Sequence, residues 1–233
     1  MSEPLPVVLI PGLLASARLY AAQIPALWTQ GPVMVADHTR ADTMTAIARG
    51  ILSAAPARFA LAGLSMGGYI AFEILRQAPE RVAKLALLDT SARADTPEAS
   101  AARRTQIAQA AAGGLGEVAD AQFARMVHPT RRADAGLREV NRLMAQELGP
   151  AAFARQQAAI MGRADSRAML KDIRCPTLVL VGDSDELTPP ERAAEMADAI
   201  AGAHLVNVPQ CGHLSALERP DAVTHALLEW LRT

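Results

Sequence analysis

The sequence predicts an α/β fold, with a doubly wound, mostly parallel sheet of about six strands that carries an all-helical insertion. Short apolar or β-branched runs alternate with longer Ala-rich stretches, which is the pattern of successive βαβ units. One long stretch, from about residue 92 to about residue 172, breaks this alternation and has no strand signal. The 233 residues are therefore expected to form one core with one sizeable insertion.

The strands are predicted from continuous apolar runs. Such runs, without alternation, are typical of strands that are covered on both faces. In chain order they are residues 6–10, 32–36, 58–63, 84–89, 177–182 and 204–208. Between them, apolar residues recur at spacings of three and four, as in helices that cover a sheet. These helices are predicted over 43–54, 67–78, 190–201 and 219–232.

The stretch 92–172 is predicted to be a helical cap over a core formed by residues 1–91 and 173–233. Thr96–Glu98 combines an N-cap residue, a first-turn proline and an acidic first turn, so a helix should begin there. The cap holds 12 Lys and Arg against nine Asp and Glu, an excess that we interpret as solvated surface. Breaks between its helices are expected at Gly113-Gly114, Pro129, Gly149-Pro150 and Gly162.

Composition excludes several classes of protein. With 23 Lys and Arg against 24 Asp and Glu, spread along the chain, neither nucleic acid nor an anionic membrane is expected as a partner. No segment approaches the roughly 18 uninterrupted apolar residues of a membrane-spanning helix. The N-terminal MSEPLP has no basic residue and is interrupted by prolines, so we expect a cytoplasmic protein. Cys175 and Cys211 are predicted to lie too far apart for a disulfide, and alone they cannot form a zinc site.

A possible nucleophile lies where the third strand passes into a helix. Residues 61–70 read LAGLSMGGYI and contain Gly63-x-Ser65-x-Gly67, the pattern of a nucleophile elbow. Such a tight turn puts the serine in a sparsely populated backbone conformation and leaves no room for a Cβ two residues before or after it. The N-terminus of the next helix then favours negative charge beside Ser65. Ser65 is the candidate nucleophile, and the Met66 N–H is a candidate oxyanion donor.

A serine nucleophile needs a general base that a third group orients. His213 follows the last strand in NVPQCGH, at the carboxyl edge of the sheet, where open α/β sheets carry their sites. His204 begins a strand at the opposite edge, and His225 lies inside a helix. His38 and His128 lack a positioning context. His213 is therefore the candidate base.

Three aspartates that follow strands at this edge are candidates for the orienting acid. Asp185 and Asp183 lie after the fifth strand in VGDSDELTPP, and Asp89 ends the fourth in LLDTSA. We favour Asp185, with Asp183 as its competitor. An aspartate after a glycine commonly bonds the backbone of a turn, which is the structural alternative for Asp183. Asp89 has the alternative of capping the first residues of the insertion.

The chain order Ser65, Asp185, His213, each in its strand and loop context, resembles the α/β-hydrolase fold superfamily. The resemblance covers nearly the whole chain, and GLSMGG resembles small esterases, cofactor-free perhydrolases and enol-lactonases of that superfamily. It implies an acid three residues after the glycine that ends its strand, as Asp185 is after Gly182. The haloalkane dehalogenase and epoxide hydrolase branches use an aspartate in place of Ser65.

The loop after the first strand departs from this resemblance. Members of the superfamily typically carry His-Gly there, whereas this chain has Pro11-Gly12 followed by Leu13-Leu14. If the pattern carries over, Leu13 provides the second backbone oxyanion donor beside Met66. Pro11 removes an imidazole that braces the loop.

The resemblance implies a serine hydrolase that acts on a small or medium carboxylic ester, lactone or thioester, with an acyl-enzyme on Ser65. No metal or organic cofactor is required. Leu14 and Leu187 adjoin the predicted site and are the candidates for substrate binding. Larger apolar residues of the cap are candidates too, but packing is the stronger expectation for Phe123, Met126, Met144, Phe153 and Met161.

Two other functions stay open. A carbon–carbon bond hydrolase of the meta-cleavage type uses a similar set of residues, but it needs partners for an extended dienoate that this sequence does not identify. A non-catalytic member of the fold would bind a ligand in the same pocket without turnover. A stoichiometric complex without product would identify that case.

Overall fold

A single parallel sheet with helices on both faces forms the centre of the computed structural model, which describes residues 4–233. The strand order is β2-β1-β3-β4-β5-β6, and all neighbouring strands are parallel. Residues 1–3 lie outside the described residues. They belong to the predicted core, and the prediction of a cytoplasmic protein uses them. The strands are β1 (Val7–Ile10), β2 (Val33–Val35), β3 (Phe59–Leu64), β4 (Val82–Leu88), β5 (Thr177–Gly182) and β6 (His204–Val208). The predicted fold class is confirmed.

Burial differs between the central and the edge strands. Every residue of β1, β3 and β5 is buried. In contrast, β2 is only half-buried and β6 has exposed residues, so the expectation that all strands are covered on both faces is wrong for these two. Both are edge strands, which have a neighbouring strand on one side only. An apolar run predicts a strand, but its place in the sheet decides how fully it is covered.

The helices cover the two faces of the sheet. In chain order they are α1 (Gln23–Trp28), α2 (Met44–Ala54), α3 (Met66–Gln77), α4 (Pro97–Gln109), α5 (Leu115–Met126), α6 (Ala135–Met161), α7 (Pro190–Ala199), α8 (Ser215–Glu218) and α9 (Pro220–Arg232). The four predicted covering helices correspond to α2, α3, α7 and α9. The short α1 and α8 were not predicted, because helices of six and four residues show no periodicity. None of the helices formed by residues 4–233 is long and apolar enough to cross a membrane.

The chain between β4 and β5 is helical. None of the described residues from 92 to 172, called the helical segment below, forms a strand. As predicted, Thr96 caps α4: its side chain accepts a hydrogen bond from the Ala99 N–H at 3.1 Å. Gly113 (φ +96°) and Gly149 (φ +73°) interrupt the helical backbone where breaks were predicted. Treatment of this segment as a cap separate from a core stays a prediction.

Side chains of the central strands alternate between two apolar cores, one on each face of the sheet. In β1, Val8 and Ile10 pack into one core, whereas Val7 and Leu9 pack into the other. With both faces filled in this way, β1 and β3 carry no polar side chain, and the candidate site residues lie in the loops beyond the strand ends. The loops after β1, β3, β5 and β6 meet at the carboxyl edge and carry the candidate site.

Candidate active site

Ser65 lies between β3 and α3 in a strained backbone conformation, with φ +54° and ψ −115°. A Cβ at Gly63 would overlap the Gly67 carbonyl, and a Cβ at Gly67 would overlap the Ile10 carbonyl. These backbone clashes explain why glycine occupies both positions of the elbow (Gly63–Gly67). The Ser65 N–H donates to Leu88 O at 2.9 Å, and Thr90 Oγ1 donates to Ser65 O at 2.7 Å. Hydrogen bonds from β4 and the residues after it thus hold the strained serine.

Ser65, His213 and Asp185 are connected by hydrogen bonds. His213 Nε2 lies 2.8 Å from Ser65 Oγ, and His213 Nδ1 lies 2.8 Å from Asp185 Oδ2. The side chains of His213 and Asp185 are almost fully buried. An ionised carboxylate only accepts hydrogen bonds, so Nδ1 carries the proton and Nε2 is free to accept the Ser65 hydroxyl proton. The three residues that the sequence analysis selected separately therefore form one hydrogen-bonded set, Ser65–His213–Asp185, which is called the relay below.

Asp185 is held as an acceptor on both oxygens. Its Oδ1 accepts the Leu187 and Thr188 N–H groups at 2.8 and 3.0 Å, and its Oδ2 accepts the Thr188 hydroxyl at 2.7 Å. Burial alone would raise the pKa of Asp185, but the charge of His213 and these hydrogen bonds lower it. Burial alone would likewise lower the pKa of His213, but the adjacent Asp185 carboxylate raises it. Charge complementarity between the two residues thus outweighs their desolvation.

Asp183, the competing candidate, bonds backbone rather than His213. Its Oδ2 accepts the Gln210 N–H at 2.9 Å and its Oδ1 accepts the Cys211 N–H at 3.2 Å. Glu218, which is 3% exposed and was not predicted, accepts the next N–H, that of Gly212, at 2.9 Å. The two carboxylates therefore hold the loop that leads to His213.

Asp89, the third candidate, is fully buried at the end of β4. Its Oδ1 accepts the Gly182 N–H at 2.9 Å, and its Oδ2 shares a short hydrogen bond with Ser215 Oγ. These partners belong to β5 and α8, so the suggested capping of the insertion is wrong. Burial, followed by the charge of Asp185, raises the pKa of Asp89 to about 8. Asp89 joins two elements beneath the site without bonding the imidazole.

The candidate oxyanion donors are the backbone N–H groups of Met66 and Leu13. Neither N–H donates to another residue within 4–233. Leu13 belongs to the loop Pro11–Ala15, called the β1 loop below, which lies against the elbow: a Cβ at Gly12 would be 3.4 Å from Ser65 Cβ. The β1 loop and Met66 thus lie beside Ser65, and the binding of an oxyanion by the two N–H groups stays a prediction.

The β1 loop is contacted by His38, which was not chosen as the candidate base. His38 is 3% exposed, and its Nε2 lies 3.0 Å from the Gly12 carbonyl oxygen. Pro11 has no imidazole to brace the loop. His38, which lies after β2, provides one instead. No local pattern in the sequence signals this contact, because it joins residues that are 26 positions apart.

The other histidines lie outside the relay. His204 is exposed at the start of β6, and His225 is exposed on α9, where it pairs with Glu229. The ring of His128 bonds Thr130 within the helical segment. None of the three bonds Ser65, Asp185 or His213 within residues 4–233.

A cavity of about 490 Å³ lies over Ser65 and His213. Leu13, Leu187 and Met126 line it. Leu14 does not line it, contrary to expectation: Leu14 is 5% exposed and packs against the helical segment in a cluster with Phe153. The left-handed backbone of Leu14, with φ +53°, directs its side chain away from the cavity.

Most large apolar residues of the helical segment pack internally, as expected. Phe123 and Met144 are buried in the core beneath the segment, and Phe153 is also buried. Met161 is half-buried outside the cavity, so Met126 alone of these candidates lines it.

The charged residues that line the cavity are Glu98, Arg103 and Arg125, all from the helical segment. Arg103 is bound by Asp95, whose side chain is 2% exposed. The other basic residues of the segment do not line this cavity, and their interpretation as solvated surface stays a prediction. Within residues 4–233, no cluster of three or more His, Cys, Asp or Glu side chains could hold a metal ion.

A family model described as the alpha/beta hydrolase family matches residues 7–226. A pimeloyl-[acyl-carrier protein] methyl ester esterase of Aromatoleum aromaticum is 28% identical over 193 residues, which cover 78% of this chain and 77% of the relative.

Two solved structures are similar over the full chain. A thermophilic esterase from Thermogutta terrifontis, solved with malate bound, has a TM-score of 0.90 and 34% identity, and the match covers 100% of this chain and 91% of the esterase. The enol-lactonase from Burkholderia xenovorans has a TM-score of 0.87 and 26% identity, with 100% and 93% coverage.

Proposed function

The chain belongs to the alpha/beta hydrolase family, and from this premise we propose that it is a serine hydrolase that cleaves a small or medium carboxylic ester. The observation that carries the proposal is the relay from Ser65 Oγ through both ring nitrogens of His213 to Asp185, with 2.8 Å at each contact. A serine becomes a nucleophile when a base removes its proton and a third group orients that base. The relay has this arrangement.

In the acylation step, Ser65 Oγ attacks the ester carbonyl carbon while its proton passes to His213 Nε2. The ionised Asp185 accepts the Nδ1–H bond and stabilises the imidazolium that forms. The tetrahedral intermediate then expels the alkoxide, which takes the proton from His213 and leaves as an alcohol. Ser65 is left as an acyl ester.

The developing negative charge of this intermediate falls on the former carbonyl oxygen. The backbone N–H groups of Met66 and Leu13 are proposed to bind it, since both lack an acceptor within residues 4–233. The N-terminus of α3, which begins at Met66, adds a favourable partial charge. Such preorganised donors stabilise the transition state more than the ground state.

Deacylation repeats these steps with water as the nucleophile. His213 takes a proton from water, the hydroxide attacks the acyl carbon, and the acid product leaves as Ser65 regains its proton. The free acid and the alcohol account for all atoms of the ester and the water. The chemistry uses only groups of the chain and water.

The substrate is proposed to be a small molecule that carries an acyl ester or a lactone. The relatives named as methyl ester esterase, esterase and enol-lactonase support acyl transfer to water. A cavity of about 490 Å³ is in the range of small-ligand sites. The helical segment contributes Met126, Arg103 and Arg125 to that cavity, which supports its role as a cap that selects the substrate.

The first test is the intact mass of the protein after incubation with a fluorophosphonate, for the wild type and for Ser65→Ala. We expect one phosphonyl adduct on the wild type and none on the variant, because only an activated serine displaces fluoride. A panel of methyl esters, lactones and thioesters then compares kcat/KM among the three bond classes.

The controls separate this proposal from the alternatives. Circular dichroism must show that Ser65→Ala is folded. Absence of an adduct on folded wild type would contradict the proposal and favour the ligand-binding alternative. Adduct formation with activity on none of the acyl substrates, but on a meta-cleavage dienoate, would favour the carbon–carbon bond hydrolase.

A further inference from the structure

We propose that His38 and Gln156 are positioning residues that hold the Leu13 N–H in the orientation needed to receive the oxyanion. They act from the two peptide units that flank Leu13, one bound by His38 and the other by Gln156. This inference rests on the proposed function, in which Leu13 is an oxyanion donor. Neither residue touches the reacting atoms in the proposed mechanism.

The first contact acts on the peptide unit that contains the Leu13 N–H. A peptide unit is planar, so the Gly12 carbonyl and the Leu13 N–H point in opposite directions and rotate together. The Gly12 oxygen accepts His38 Nε2–H at 3.0 Å and the Ala15 N–H at 3.2 Å. A group that fixes the Gly12 carbonyl therefore also fixes the direction of the Leu13 N–H.

The second contact acts on the next peptide unit. The Leu14 N–H donates to Gln156 Oε1 at 3.1 Å, and Gln156 is fully buried on α6. With both flanking peptide units bound, the backbone of Leu13 loses its freedom to rotate. The two side chains come from opposite parts of the chain, since Gln156 lies 142 residues from Leu14.

Two unfavourable features, one in the β1 loop and one in its partner Gln156, indicate that contacts with the rest of the fold impose the conformation of the loop. Leu14 has φ +53°, a conformation that residues with a Cβ adopt only where the surroundings over-determine it. Gln156 Nε2 is buried without a hydrogen-bond partner among the described residues, which is unfavourable for an amide. A buried apolar residue would avoid this cost, but it would not provide the oxygen that accepts the Leu14 N–H.

His38 acts as a neutral donor. Burial lowers the pKa of His38, so the ring stays uncharged. The Gly12 carbonyl can only accept, which puts the single ring proton on Nε2. A neutral donor at this place orients the loop without adding a charge next to the Ser65 and His213 pair.

The test compares three variants of the full chain in ester hydrolysis. His38→Leu removes the donor, Gln156→Met removes the acceptor, and His38→Gln keeps an N–H donor. We expect kcat to fall about tenfold or more in the first two variants, with KM within about twofold, because the oxyanion exists only in the transition state. His38→Gln should recover most of kcat.

A second readout separates positioning from general damage. The affinity for a trifluoromethyl ketone, which forms an oxyanion on Ser65, should fall by the same factor as kcat in His38→Leu and Gln156→Met. Gln23→Met is the matched control, because Gln23 is equally buried but donates to Ala216 O and Pro220 O. Its kcat should stay within about twofold of wild type.

The outcomes are distinct. Wild-type kcat and trifluoromethyl ketone affinity in folded His38→Leu and Gln156→Met would overturn this inference and leave the proposed function intact. Wild-type protein that neither hydrolyses esters nor reacts at Ser65 would overturn both. If His38→Leu does not fold, Gln156→Met alone decides, with Gln23→Met as its control.

Discussion

The elbow and the β1 loop lie against each other at the carboxyl edge of the sheet, but different contacts hold them. The elbow is held mainly by backbone atoms: Ser65 N–H bonds Leu88 O, and the Gly67 carbonyl fills the space around Gly63. The nearby Thr90 hydroxyl adds a side-chain bond to Ser65 O. The β1 loop is held mainly by side chains from remote parts of the chain, His38 and Gln156.

The two halves of the proposed site therefore depend on the sequence in different ways. A turn held by backbone leaves a local signature, because particular positions must be glycine. A loop held by remote side chains leaves none, since many loop sequences offer the same carbonyl and N–H groups. The elbow is therefore sensitive to substitutions within it, and the β1 loop to substitutions far from it.

The largest expected effect comes from breaking the elbow at its reactive atom. Ser65→Ala should lower kcat by about 10⁴-fold or more, because no other group forms the acyl-enzyme. The β1 loop is left intact, so binding of the acid product should persist, as measured by isothermal titration. Retained hydrolysis at a rate near that of wild type would contradict the assignment of Ser65.

The next-largest effect distinguishes the two aspartates that follow β5, Asp185 and Asp183. Asp185→Asn should lower kcat by about 10⁴-fold, because an amide at Oδ2 favours the wrong imidazole tautomer. Asp183→Asn should lower kcat less than about tenfold, since Asp183 bonds the Gln210 and Cys211 N–H groups and the Ser184 hydroxyl, but not His213. Steady-state kinetics of the two variants checks this, and the reverse ranking would identify Asp183 as the orienting acid.

A matched pair of glycines compares the regions directly. Gly63→Ala should lower the free energy of unfolding by about 3 kcal/mol or more, because its Cβ would overlap the Gly67 carbonyl. Gly12→Ala should change it by less than about 1 kcal/mol, because the nearest atom to its Cβ is 3.4 Å away. Urea denaturation measures both. Equal losses would mean that the β1 loop is as crowded as the elbow.

The smallest effect concerns pH. The Asp185 carboxylate raises the pKa of His213 above 6.5, and only the unprotonated ring accepts the Ser65 proton. The kcat/KM should therefore rise with pH through a midpoint above 6.5 and fall about tenfold per pH unit well below it. His38 adds no second step above pH 6.5, because burial lowers its pKa below that ordinary value. A midpoint below 6.5 would show that Asp185 does not raise the pKa.

The sequence predicted most of the fold because strands and covering helices have periodic or continuous apolar patterns. The bounds of β5 and β6 were predicted without error, and the start of α4 followed from its Thr96 cap. The exposure of β2 and β6 was missed, because an apolar run does not tell whether a strand lies at an edge. The short α1 and α8 were missed because they contain too few residues for a pattern.

Among the predicted residues of the site, those that the fold brings together have a fixed place in the order of strands. Ser65, Asp185 and His213 each follow a strand, so parallel topology brings them to one edge. Asp89 follows a strand as well, yet its bonds to Gly182 and Ser215 could not be foreseen. Leu14 was predicted to face the substrate, but its backbone turns the side chain into the cluster around Phe153.

Local patterns and strand order in the sequence specify the α/β sheet, the elbow at Ser65 and the candidate partners Asp185 and His213. The contacts of His38 and Gln156 that hold the β1 loop, and the side chains that line the cavity, emerge only when the chain is folded. Hydrogen bonds between distant residues depend on how whole elements pack, which no local pattern records. A backbone carbonyl accepts a hydrogen bond, and a backbone N–H donates one, wherever the fold brings a suitable group from any part of the chain within about 3 Å.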